Sequence, residues 1–135
     1  MEKALAITIT EYSDILHAVE KKPIVLKTRG ETSRSYLSTE DAATAILTIL
    51  IDGAAGKIYN VADKNTYCSV AEMAKKVADK YGLCVQYDVQ ENREYLGTLY
   101  MDLDTAAIHG LGWKPTAKEG VLSIYEEMME DFSGE

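Results

Sequence analysis

The chain has 135 residues, of which 47% are hydrophobic and 27% charged, enough apolar content for one compact domain over residues 1–135 and too much for a disordered chain. Its net charge of −8 and the scattering of its basic residues leave no basic stripe of the kind a nucleic-acid binder carries. The longest apolar run, residues 42–51, is far short of the ~18–20 residues of a membrane span, and Cys68 and Cys84 are too few for a disulfide framework or a zinc site. A soluble, acidic, cytoplasmic protein with reduced thiols is the expectation, with neither nucleic acid nor membrane as a partner.

The apolar positions Tyr12, Ile15, Leu16 and Val19 follow helical spacing and predict an amphipathic helix over residues 10–20, ended by Pro23. Ile24, Val25 and Leu26 form a short strand, a polar turn surrounds Gly30, and residues 35–37 read as a second brief strand. Thr39 is the expected N-cap of a helix over residues 40–51, with Glu40 and Asp41 at its positive end. Residues 57–61 read as a strand. Ser69 and Glu72 have the spacing of a capping box, whose helix continues to Tyr81 and stops at Gly82. Residues 84–89 alternate like a strand, residues 90–97 are polar and irregular, and Asp104 is the expected cap of a short helix ending near His109. A turn through Gly112, Trp113 and Pro115 leads to a last helix over residues 117–132. The result is an α/β domain: a small mixed fold of short strands and four to five helices.

No glycine-rich dinucleotide loop, phosphate-binding loop, zinc-protease helix motif or nucleophile elbow occurs, and none of the nine tyrosines is followed by a lysine four positions later. Taken alone, the chain shows no catalytic apparatus. His17 falls on the polar side of its helix, and His109 sits where a helix end favours a cation. Asp104 is more simply a cap than a metal ligand, and Trp113 reads as a core plug. Arg34 is different: it follows the Gly30 turn and precedes a strand-to-helix junction, a place suited to a bidentate grip on phosphate. A solvated arginine paired with Glu31 or Glu40 is the competing reading. Arg93, in the irregular loop, carries the same ambiguity.

Four segments in order resemble the NAD-dependent epimerase/dehydratase family, the extended short-chain dehydrogenases that act on nucleotide sugars. They are "GETSRSYLSTEDAATAI" after the Ile24 strand, "GKIYNVAD", "SVAEMAKKVADKYG" and "LDTAAIHGLGWKPTAKEGV". Together they cover roughly residues 12 to 130 and are similar to the C-terminal, substrate-binding portion of that family. Ala107 stands where the family usually has a basic residue, Thr39 precedes Glu40 and Asp41 at a further point of departure, and the first dozen residues match poorly.

The resemblance implies that the N-terminal Rossmann portion, with its NAD loop and catalytic Ser/Thr-Tyr-Lys set, is missing from this chain. On that reading the chain binds no cofactor itself, NAD(P) belongs to the complete enzyme, and the isolated chain is inactive. The partners implied are a nucleotide-diphosphate sugar and the missing Rossmann domain, toward which apolar residues are expected to be exposed. Arg34 matches the arginine that contacts the diphosphate, Val25 and Leu26 match the segment lying against the nucleobase, and Arg93 matches a second phosphate-binding arginine. Asp41, Asn60, Gly112 and Trp113 match structural positions. A non-enzymatic interaction or regulatory module that keeps the fold is the alternative.

Overall fold

The computed structural model describes residues 20–89, 97–116 and 120–133. Pro23 disfavours helix at the residue before it, and strand β1 (Ile24–Leu26) begins immediately after. Its residues alternate: Ile24 and Leu26 are fully buried and Val25 is half-buried. β1 pairs in parallel with β4 (Val85–Tyr87), Ile24 opposite Val85 and Leu26 opposite Tyr87. Parallel strands need a crossover, and helix α2 (Val70–Tyr81) lies within it. α2 covers the pair with Ala74, Val77 and Ala78, and Tyr125 of α4 (Val121–Ser133) closes the same core.

Both ends of α2 are where its residue types place them. The Glu72 N–H donates to Ser69 Oγ at 3.1 Å, and the Ser69 N–H donates to Glu72 Oε2 at 2.8 Å. Gly82, at φ 67°, takes the left-handed conformation that stops the helix.

A second sheet has the order β3–β2–β5, with β3 (Cys68–Ser69) antiparallel and β5 (Tyr100–Met101) parallel to the central β2 (Ser33–Arg34). The ladder therefore lies two residues before the expected run at 35–37. Pairing with the two short neighbours ends at Arg34, and Tyr36 bonds instead to a side chain. Cys68 is buried, Cys84 is exposed, and both are free thiols.

Helix α1 (Thr39–Asp52) is capped by Ser38, one residue before the expected Thr39. Ser38 is extended (φ −66°, ψ 152°) and its hydroxyl accepts the Asp41 N–H at 3.2 Å, while Thr39 is already helical. α1 packs through Ala45 and Ile49 on Ile108 of the short helix α3 (Ala106–His109) and on Trp113. The Trp113 Nε1–H donates to Thr44 Oγ1 at 3.0 Å, so the tryptophan is the core plug its flanking turn predicts. Thr105 is the residue before α3, and Asp104 Oδ1 accepts the Ala106 N–H at 2.9 Å.

Residues 57–61 form no strand ladder among the described residues. Tyr59 and Val61 turn into the Trp113 cluster, whereas Ile58 is 87% exposed. The expected helix over residues 10–20 lies, apart from Glu20, outside the described residues, as do His17 and residues 117–119, where the last helix was expected to begin. Among the described residues, no helix is long and apolar enough to cross a membrane.

Candidate functional site

Arg34 is held by its backbone on both sides. Upstream, Gly30 adopts φ 69° and lies so close to α2 that a Cβ would meet the Ala71 backbone nitrogen at 2.8 Å. Only glycine meets both conditions. The Gly30 and Thr32 carbonyls accept the Ala71 and Val70 N–H groups, each at 3.0 Å, and the Ser33 N–H donates to the Leu99 carbonyl at 2.8 Å. The turn is thus stapled to the first residues of α2 before the chain enters β2.

Downstream, the buried Thr66 hydroxyl fixes Tyr36. The Tyr36 N–H donates to Thr66 Oγ1 at 2.7 Å, and that hydroxyl lies 2.7 Å from the carbonyl oxygens of both Tyr36 and Asp63. Its single proton goes to one of the two. The half-buried Arg34 sits with its guanidinium carbon 5.6 Å from the centroid of the Tyr36 ring, within cation–π range. Thr66 ends a one-turn 3-10 helix (Lys64–Thr66) capped by Asp63, whose Oδ1 accepts the Asn65 N–H at 2.9 Å. Sequence reasoning passed over Thr66 and Asp63, because nothing local in residues 63–66 shows that they close on a strand thirty positions earlier.

Two buried carboxylates stand behind this arrangement. Burial pushes the Asp63 carboxyl above its ordinary value of 3.8, the Asn65 backbone N–H opposes that, and the Asp41 charge adds to it. Asp41 is nearly inaccessible and spans the fold: Oδ2 accepts the Thr116 N–H at 2.9 Å and Oδ1 accepts the Thr116 hydroxyl at 2.8 Å. It is a structural tie between α1 and the segment after Trp113, as is Asn60, whose side-chain amide donates to the Asp104 carbonyl at 3.1 Å.

The β1 residues divide by direction. The Leu26 side chain is buried in the core and reaches no surface. The Ile24 N–H donates to Cys84 and the Leu26 carbonyl accepts from Asp88, so these residues turn their backbone groups toward β4. Because alternate residues of a strand direct theirs to opposite sides, the Val25 N–H and carbonyl face the other edge, which pairs with no strand among the described residues. Val25 and Arg34 lie in different sheets joined through α2, β1 by packing and β2 through the Gly30 turn. Arg93 lies outside the described residues.

A dinucleotide pyrophosphate is bound by free N–H groups at a helix start; at α2 the Val70, Ala71 and Glu72 N–H groups already donate to Thr32, Gly30 and Ser69, and at α1 Ser38 takes the Asp41 N–H.

The fold occurs within larger enzymes. The chain superimposes with a TM-score of 0.72 on a dTDP-glucose 4,6-dehydratase from Streptomyces venezuelae solved with NAD and TYD bound, at 20% identity, over 90% of this chain and 38% of that one. A dTDP-glucose 4,6-dehydratase from Bacillus anthracis in complex with NAD gives 0.73 at 18% identity, over 93% and 40%. These likenesses define a small α/β domain that forms part of a dTDP-glucose dehydratase fold.

In sequence, the chain is 31% identical over 111 residues to the human dTDP-D-glucose 4,6-dehydratase, covering 76% of this chain and 31% of that protein. It is 33% identical over 102 residues to an Arabidopsis thaliana trifunctional UDP-glucose 4,6-dehydratase/epimerase/reductase, covering 74% of this chain and 15% of that protein. No family model matches the chain. The chain is homologous to part of the NAD-dependent nucleotide-sugar dehydratases and epimerases, the extended short-chain dehydrogenases, and spans about a third of the length of the single-function dehydratases it matches.

Proposed function

We propose that this chain is the C-terminal, substrate-binding part of a nucleotide-sugar epimerase or dehydratase, and that it grips the diphosphate of the nucleotide through Arg34. The observation that carries the reading is the double anchoring of Arg34, stapled to α2 through Gly30 on one side and tied through Tyr36 to Thr66 on the other. Backbone fixed on both sides sets where the arginine stands, so that only its side chain is left to order on closing over two phosphate oxygens. The unpaired edge at Val25 supports the second element, backbone pairing to a nucleobase, with Leu26 contributing as the buried anchor that holds the strand. Arg93 is a second phosphate ligand in this reading.

Catalysis requires the other part of the enzyme. With no Tyr-x-x-x-Lys pair in the sequence and the first N–H groups of α2 already bonded, NAD and the acid/base tyrosine belong to a Rossmann domain outside these residues. The chain alone is therefore inactive, and assay for NAD reduction with a panel of nucleotide sugars checks this. Titration of UDP-glucose and dTDP-glucose into the chain by calorimetry tests the binding itself. Arg34→Ala is expected to weaken affinity about tenfold, or ~1.4 kcal/mol, with the melting curve unchanged. Equal, measurable binding by both proteins removes Arg34 from the site, and no binding by either favours an interaction module.

A further inference from the structure

We infer that the proton on the Asp63 carboxyl governs the Arg34 grip: protonated, the carboxyl leaves the Tyr36 anchor seated, and ionised, it unseats it. The inference deepens the diphosphate reading of Arg34 and rests on it. Asp63 is 1% exposed, and only one of its carboxyl oxygens is satisfied. Oδ1 accepts the Asn65 N–H at 2.9 Å, whereas Oδ2 is buried with no hydrogen-bond partner among the described residues. A protonated carboxyl tolerates that position far better than a carboxylate, whose buried charge needs partners.

The groups around it do little for the charged form. From α1, the Asp41 charge faces Asp63 and opposes its ionisation, and both Asp41 oxygens are already bonded to Thr116. From α3, His109 faces it and favours ionisation when protonated, but the imidazole is exposed. On the same turn, the Asn65 N–H and side-chain amide favour the carboxylate, and Lys64 is exposed. Burial outweighs each of these and holds the carboxyl above its ordinary value.

The route to Arg34 runs through the backbone of the same residue. The Asp63 carbonyl accepts the Thr66 N–H at 3.1 Å and lies 2.7 Å from the Thr66 hydroxyl. That hydroxyl accepts the Tyr36 N–H at 2.7 Å, and the Tyr36 ring lies beneath the Arg34 guanidinium. An ionised Asp63 must turn Oδ2 toward water or a donor. The turn it caps is a single 3-10 turn, Lys64–Thr66, too short to rotate at its cap and keep that carbonyl in place. The Thr66 seat then opens and Tyr36 loses its fixed backbone. Nucleotide affinity is therefore highest in acid and falls as pH rises through the raised value of the Asp63 carboxyl.

The test titrates UDP-glucose into the full chain by calorimetry from about pH 4 to about pH 8. This ligand has no phosphate monoester, the form that titrates near pH ~6, and arginine stays charged throughout, so a change over the range belongs to other groups of the protein. Hydrogen-exchange protection of the Tyr36 amide is followed over the same range without ligand. Affinity and protection are both expected to fall about tenfold with a common midpoint, in the parent and in His109→Gln alike. Both are expected to be flat in Asp63→Asn, whose side chain still caps the turn. Thr66→Val, which cuts the route and leaves the carboxyl in place, is expected to bind weakly and equally at both ends of the range. A Tyr36 amide indifferent to pH overturns the inference, and so does a pH dependence that survives in Asp63→Asn or Thr66→Val or vanishes in His109→Gln. Binding that does not change with pH overturns it alone, whereas no binding at any pH overturns it together with the function reading.

Discussion

The Thr66 hydroxyl controls Arg34 without touching it, because it fixes the backbone two residues downstream. Thr66→Val keeps the shape and removes the partner of a part-buried N–H, an expected loss of about 1 kcal/mol. Nucleotide affinity should fall with it, since Tyr36 no longer holds the strand. Urea unfolding together with calorimetry checks both, and unchanged affinity in a folded variant removes Thr66 from the support of the site. Asp63 makes a prediction about pH. Its carboxyl is raised by burial above 3.8, so the folded state holds the proton more tightly than the unfolded chain. The stability this contributes is full below the unfolded value and is lost as pH rises through the folded one. Asp63→Asn keeps an acceptor for the Asn65 N–H and removes the titration. The variant should therefore gain on the parent as pH rises above about 4, and a difference in unfolding free energy constant with pH contradicts it. Arg34 is singled out as a candidate in the sequence because a turn and a helix start flank it, with a solvated, paired arginine as the competing reading. Thr66 and Asp63 are not singled out, because their roles come from a contact thirty positions away.

Elements whose cause is local were the ones the sequence predicts well. α2 follows from Ser69, Glu72 and Gly82, and its reciprocal cap lowers the Glu72 carboxyl through hydrogen bonds from the Ser69 backbone and hydroxyl. Ser69→Ala should cost ~1 kcal/mol in urea unfolding, and no measurable loss would mean that packing alone fixes the helix start. Strands behave differently because their partners are distant. β2 lies two residues before the expected run, since its ladder depends on Cys68–Ser69 and Tyr100–Met101. Residues 57–61 have the composition and alternation of a strand yet lack a described ladder, because alternation specifies a face and does not supply a neighbour. The Ser38 cap differs from the expected Thr39 by one position, a choice between adjacent hydroxyls that backbone geometry makes and composition does not.

At the scale of the whole molecule, α2 joins the two sheets: it buries β1 against α4 and staples the turn that leads into β2. On that arrangement rests the central proposal, that the open edge of Val25 and the side chain of Arg34 serve one ligand. Amide chemical shifts of the 15N-labelled chain titrated with dTDP and UDP test it most directly. The account predicts that residues 24–36 shift together and saturate at one concentration, and that Arg34→Ala abolishes the saturation without altering the spectrum of α2. Saturable shifts confined to other residues, with 24–36 unmoved, would contradict it.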